Sequence, residues 1–247
     1  FCGISKGVEI HHDGDLPARS GLGSSSSFTV CLLNSLNALK GNIVKKSQLA
    51  KDAIYTERDI LKENVGSQDQ VAVAYGGFNK VAFNTDDEFR VEPITIRKER
   101  LQELSDHLML IFTGFSRFAS SLARKQIENT PKKKKELSVM QQMVDEAIDI
   151  LNSKDDILRF GKLLDESWKL KKSLTSKISN TEIDNIYSEA LKSGATGGKL
   201  LGAGGGGFML LFVSPERKEK VKRRLRKYLE IDFAFENDGS QIIYYNP

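Results

Sequence analysis

The chain has 247 residues, of which 39% are hydrophobic and 28% charged, with a mild formal net charge of +4. That is the balance of a soluble globular protein with one large or two modest cores, and no apolar run approaches the length needed to cross a bilayer. Cys2 and Cys31 stand in no metal or redox spacing, so a reducing, cytoplasmic setting is expected.

In chain order, VEIHH at 8–12 alternates as a strand does, and Asp15-Leu16-Pro17 ends it. A helix from about 28 to 39 is apolar nearly all round and is expected to be buried, with Gly41 as its stop. A second helix spans about 48–63 with Ser47 as its N-cap. A short helix follows Gly66-Ser67, then strands at 78–84 and 89–96. Residues 108–113 read as a buried strand, and helical patterns cover 119–129, 131–152, 155–175 and 181–193. The last third changes character. A strand-like Lys199-Leu200-Leu201 leads into the six residues GAGGGG and the apolar strand FMLLFV. A charged helix at 217–229 and closing strands at 231–236 and 241–245 complete the chain. The pattern predicts an α+β fold without regular βαβ alternation, divided near residue 97 into domains 1–97 and 98–247.

The basic runs Lys132–Lys135 and 218–227 lack the interleaved aromatic residues that single-strand binding uses. They read as solvated helix faces, and no nucleic-acid or membrane partner is expected.

Residues 20–28, SGLGSSSSF, place two glycines and four serines at the mouth of a helix. A linker does not suit a stretch inside a packed region. The G-x-S-x-G spacing of a nucleophile elbow is absent, and His11, His12 and His107 follow no triad order. An anion cradle suits it well. Gly21 and Gly23 let the backbone approach closely, and a helix start offers unpaired N–H groups and a positive dipole end. Ser24, Ser25 and Ser26 add donors to phosphate and an oxygen ligand for Mg²⁺. A serine-rich helix cap is the plainer alternative.

In the second helix Ala50, Ile54, Glu57 and Leu61 share one face, which puts a carboxylate in an apolar stripe. It needs a partner, and both a structural ion pair and a metal ligand stand open, although Arg58 points elsewhere. Asp69 falls in the first turn of the next helix, either complementing its dipole or serving as a fixed base towards a hydroxyl. GAGGGG at 202–207 matches G-x-G-x-x-G, but a strand follows it, so the dinucleotide fingerprint is rejected. Ser193 and Leu200 likewise rule out a Walker P-loop. Five glycines in six residues still imply a backbone pressed against a ligand or another loop, with a structural hairpin as the alternative. In Thr113-Gly114-Phe115-Ser116-Arg117, Arg117 either clamps a phosphate or lies on the surface.

Taken together, these residues resemble the GHMP kinases, the family of galactokinase, homoserine kinase, mevalonate kinase and phosphomevalonate kinase. The family's Pro-x-x-x-Gly-Leu-Gly-Ser-Ser loop is matched by Pro17 to Ser25, and its later glycine motif by Lys199 to Phe208. Asp69-Gln70 matches the Asp-Gln pair of the galactokinase-like branch. HHDGDLPARSGLGSSSSF, ENVGSQDQVAVAYGGFN, TGFSRFAS and KLLGAGGGGF look most like the D-glycero-D-manno-heptose 7-phosphate kinase branch, and the likeness covers essentially the whole chain.

The resemblance implies a two-domain fold, the first part like ribosomal protein S5 domain 2 and the second ferredoxin-like. It implies ATP and Mg²⁺ as cofactors, with the nucleotide held by Pro17, Gly21, Leu22, Gly23, Ser24, Ser25 and Ser26. Ser25 and Glu57 become the metal ligands, with Ser24 and Ser26 close enough to compete. Asp69 becomes the catalytic carboxylate, and Gln70, Arg117, Gly204, Gly205 and Gly206 become substrate contacts. The partner is a small sugar or sugar phosphate; a homodimer stays open. The implied reaction is phosphorylation of an anomeric hydroxyl, that of a heptose 7-phosphate first and that of galactose, fucose or another aldose second. A non-enzymatic ATP- and sugar-binding regulator is the alternative of another class. The family's N-terminal motif has no match here, and the chain begins at Phe1, so a piece of a longer protein is expected.

Overall fold

The computed structural model describes residues 2–5, 7–16, 21–86, 88–114 and 119–246, without the side chains of 119–122 and 125. The chain forms two compact units: Phe1–Arg19, Gly23–Pro93 and Glu236–Pro247 in the first, Ser20–Leu22 and Ile94–Phe235 in the second. The last twelve residues group with the first unit. Their backbone is tied there. Gly77 N–H donates to Glu236 O at 2.9 Å and Ser240 N–H to Val73 O at 2.8 Å.

In the first unit, helices α1 (Ser24–Leu39), α2 (Lys46–Tyr55) and α3 (Gln68–Tyr75) pack around Val30, Leu33, Leu49, Ala50, Ala53, Val71 and Ala74. Three of these seven are alanines, small enough to let the helix backbones approach. An antiparallel hairpin, β1 (Asn79–Phe83) and β2 (Phe89–Pro93), runs from Asn79 opposite Pro93 to Phe83 opposite Phe89. Helix α1 is amphipathic rather than buried all round, because only one face meets α2 and α3. Val30 and Leu33 point inward, whereas Phe28 and Leu39 are exposed. The N-cap of helix α2 is Lys45 and not Ser47, and it makes no side-chain cap bond. It continues as one π turn, Thr56–Ile60, in which Leu61 N–H reaches back to Thr56 O at 2.9 Å. The extra residue per turn breaks the expected stripe: Glu57 stays inside and Leu61 turns out.

The second unit carries α4 (Lys98–His107), β3 (Leu108–Phe112), α5 (Ala119–Asn129), α6 (Lys134–Asn152), α7 (Leu158–Leu174), α8 (Thr181–Ser193), β4 (Ala195–Leu200), β5 (Phe208–Val213), α9 (Pro215–Arg224) and β6 (Leu229–Ile231). The strands form an antiparallel sheet in the order β4-β5-β3-β6. Met109, Ile111, Leu200, Met209, Leu211 and Val213 share a cluster with Trp168 of α7, Ile183 and Ile186 of α8, and Val221 of α9. Alternation turns Phe208 and Phe212 to the opposite face, where Phe212 stacks on His107 with ring centroids 5.0 Å apart. Helix α7 lies close on β4 because two glycines meet. A methyl group at Gly197 would lie 1.9 Å from the carbonyl oxygen of Gly161.

Two expected strands are absent and a third is displaced. Residues 8–12 and 241–245 form no strand ladder, and in place of the strand expected at 231–236 stands the shorter β6, Leu229–Ile231. Alternation supplies a face for a strand, not its neighbour, and Val8, Ile10, Ile243 and Tyr244 are exposed. Among the described residues no helix is long and apolar enough to cross a membrane.

Candidate active site

Helix α1 starts behind Gly23, which takes the left-handed conformation at φ 72° and ψ 21°. The first intrahelical bond runs from Ser27 N–H to Gly23 O at 2.8 Å, so the amides of Ser24, Ser25 and Ser26 lie ahead of the helical ladder. The positive end of the helix dipole coincides with them.

The first-turn side chains converge on Glu57, which is fully buried. Ser25 Oγ donates to Glu57 Oε1 and Ser26 Oγ to Oε2, each at 2.7 Å. Gln70 Nε2, from the first turn of α3, also donates to Oε2. The buried carboxylate is thus held by two hydroxyls and an amide; among the described residues no cation pairs with it. Of the two serines, Ser26 is buried and Ser25 is exposed, so Oε1 is the oxygen whose partner reaches the surface. Gln70 is itself buried, and its Oε1 has no hydrogen-bond partner among the described residues.

Asp69 and Gln70 are neighbours at the start of α3 and point apart, as successive helix positions do. Gln70 turns to Glu57. Asp69 turns to Gly23, where an added methyl group would lie 3.2 Å from its Cβ and Cγ and 3.3 Å from Oδ2. Glycine at 23 therefore serves twice: it permits the positive φ and leaves room for a carboxylate beside the first turn of α1.

Of the expected site residues, the first unit brings together Gly23, Ser24, Ser25, Ser26, Glu57, Asp69 and Gln70. Gly21, Leu22, Gly204, Gly205 and Gly206 fall in the second unit. There Gly21 lies against the glycine-rich loop, with an added methyl group 3.4 Å from Leu201 O. Pro17 and Arg117 lie outside the described residues. The glycine-rich loop is held by Thr113, Gln126 and Lys171. Thr113 opens the Thr113–Arg117 motif; Gln126 and Lys171 carry no signal in the sequence, since each is an ordinary polar residue on a helix. Beside the loop, burial holds the Lys199 ammonium below the usual lysine range.

Among the described residues no group of three or more His, Cys, Asp or Glu side chains could hold a metal ion. A site here has to mix donor types. Ser25 Oγ, of an exposed serine, and Oε1 of buried Glu57 are two hard oxygens 2.7 Å apart, a donor pair that fits Mg²⁺, which keeps several waters and takes few protein ligands.

A mixed sheet-and-helix fold with first-turn amides and two carboxylates at one helix mouth is an arrangement suited to handling phosphate. Comparison with known families carries this further. Residues 1–77 match the family model of the GHMP kinases N terminal domain and residues 147–231 that of the GHMP kinases C terminal. The chain is 34% identical over 239 residues to D-glycero-alpha-D-manno-heptose 7-phosphate kinase of Campylobacter jejuni, covering 93% of this chain and 69% of that one. It is 32% identical over 249 residues to galactokinase of Pyrococcus furiosus, covering 87% and 67%. A crystal structure of a D-glycero-D-manno-heptose 1-phosphate kinase from Bacteroides thetaiotaomicron superposes with a TM-score of 0.64 at 28% identity, covering 91% of this chain and 64% of that one. The chain belongs to the GHMP kinase family. It spans about two thirds of the length of these relatives.

Proposed function

We propose that this chain is part of an ATP-dependent sugar kinase that phosphorylates the anomeric hydroxyl of a heptose phosphate, D-glycero-D-manno-heptose 7-phosphate first among candidates. The observation that carries the reading is the cluster at the mouth of α1: Ser25 and Ser26 on buried Glu57, with Asp69 packed against Gly23. The first-turn amides suit the nucleotide's phosphates. Ser25 and Glu57 would hold Mg²⁺, and the solvent-facing position of Ser25 favours it over buried Ser26. Bound there, the ion would neutralise charge on the phosphates.

Asp69 takes the proton of the sugar hydroxyl as the hydroxyl oxygen bonds to the γ-phosphorus and the bond to ADP breaks. An anomeric hydroxyl is more acidic than an ordinary alcohol, so a carboxylate is an adequate base. Gln70 acts from behind, fixing Glu57 through Oε2.

ADP release from Mg-ATP across aldoses with and without a terminal phosphate tests the substrate. A selective response to the heptose 7-phosphate is expected. A preference for free galactose would instead favour a plain aldose 1-kinase, the reading that the galactokinase likeness supports. Asp69→Asn is expected to lower kcat by about 10²–10⁴-fold with Mg-ATP still bound. Near-unchanged turnover would remove Asp69 from its role.

A further inference from the structure

The glycine-rich loop between β4 and β5 has a polarity that its sequence does not reveal. Three of its carbonyls, those of Gly202, Ala203 and Gly207, are taken from within, as is that of Leu200 at the end of β4. Lys171 Nζ, in the last turn of α7, donates to Leu200 O at 3.1 Å and to Gly202 O at 2.6 Å. Gln126 Nε2, from α5, donates to Ala203 O at 2.5 Å. Thr113, just past β3, meets Gly207 O with both its N–H at 2.9 Å and its hydroxyl at 2.8 Å. The amides are treated differently. Leu201 N–H and Gly205 N–H bond to Phe208 O and Ile178 O, while no acceptor is found among the described residues for those of Gly202, Ala203 and Gly206.

The loop also abuts Gly21, which belongs to the same unit. An added methyl group at Gly202, whose φ is +64°, would lie 2.8 Å from both Cα and O of Gly21. Nothing but hydrogen fits there. Whatever holds the Gly202 carbonyl therefore sets the seat of Gly21.

We propose that Lys171 and Gln126 are positioning residues: they pin the Gly202 and Ala203 carbonyls inward, leave the amides of the same two residues for an anion, and fix Gly21 through Gly202. The inference rests on the kinase reading for its ligand, the phosphates of a nucleotide or sugar phosphate, but not for its geometry. A lysine in the last turn of a helix ordinarily complements its own dipole. Here the ammonium spans two carbonyls of another segment, where a charged donor makes the stronger bond. Carbonyls drawn one way and successive amides left the other make an anion-binding concavity.

The test uses Lys171→Met, which keeps the aliphatic stem, together with Gln126→Leu and the conservative Lys171→Arg. Lys171→Met is expected to raise KM for ATP about tenfold, the loss of one charge-assisted bond, with kcat and the sugar's KM within about threefold. Hydrogen exchange is expected to quicken about tenfold at Gly202–Gly206 and Gly21 and to stay unchanged in α8 and β5. Gln126→Leu gives the same local exchange at Ala203, and Lys171→Arg recovers most of both effects. Unchanged exchange at the loop, or uniformly faster exchange through the second unit with a lowered Tm, would overturn the proposal. Should the unsubstituted protein release no ADP with any sugar, the kinase reading fails separately. The exchange arm then still decides: local acceleration supports the positioning role and its absence ends it.

Discussion

Glu57 shows how one side chain acquires its surroundings. A carboxylate at zero exposure is costly unless its lone pairs are filled, and here Ser25, Ser26 and Gln70 fill them. Oε2 faces two donors, one of them an amide that can only donate; Oε1 faces one hydroxyl, which can turn and accept. In Glu57→Gln the new NH₂ is thus expected at the Oε1 position. The fold should lose only about 1 kcal/mol, measured by urea unfolding. Turnover should fall about a hundredfold or more, and raising Mg²⁺ should not restore it, because the charged half of the Ser25–Glu57 pair is gone. Restoration by excess Mg²⁺ would show that Glu57 only braces the serines. The acid was conspicuous in the sequence because it breaks an apolar stripe. Its donors were not, since they lie 32, 31 and 13 residues away along the chain.

At the scale of elements, helices with local signals were legible and strands without partners were misleading. Helix α8 spans Thr181–Ser193, the range its periodicity predicts, because its ends are written locally. Asn180 caps it, its side chain accepting from Ile183 N–H at 2.9 Å, and Gly194 follows its last residue. Asn180→Ala is expected to cost about 1 kcal/mol, measured as a lower denaturant midpoint with an unchanged m-value. Helix α4 has no legible period, since only Arg100, Leu104 and His107 along it are buried and one of these three is apolar. Arg100 earns its burial by donating to Ile150 O and Asp155 O, both at 2.8 Å, around the turn between α6 and α7. The π turn after α2 was equally hidden, for one inserted residue leaves no compositional mark.

At the scale of the whole molecule, the chain returns to the unit in which it began. Residues 236–240 lie along the end of α3, where Asn34 Nδ2 donates to Ser240 Oγ at 3.0 Å. The approach requires glycine at 239, since a methyl group there would lie 2.4 Å from Ala74 O. Gly239→Ala is expected to destabilise the first unit by about 1–3 kcal/mol. The measurement is hydrogen exchange: protection in α3 should drop while β3 and β5 keep theirs. Equal loss in both units would show that the closing segment supports the whole chain.

The sequence by itself determined the helices with written ends, the apolar strands Leu108–Phe112 and Phe208–Val213, and the chemistry on offer: glycines and serines before a helix, an acid out of place, an Asp-Gln pair and a run of glycines. Those features are local, so spacing along the chain is enough to display them. Only the tertiary structure decided which donors meet Glu57, that Asp69 rests on Gly23, that Lys171 holds the carbonyl of Gly202, and that the closing residues belong with α3. Each of these is a contact between distant segments. Its geometry depends on how closely two backbones approach, a quantity that glycine permits but that no single stretch of sequence records.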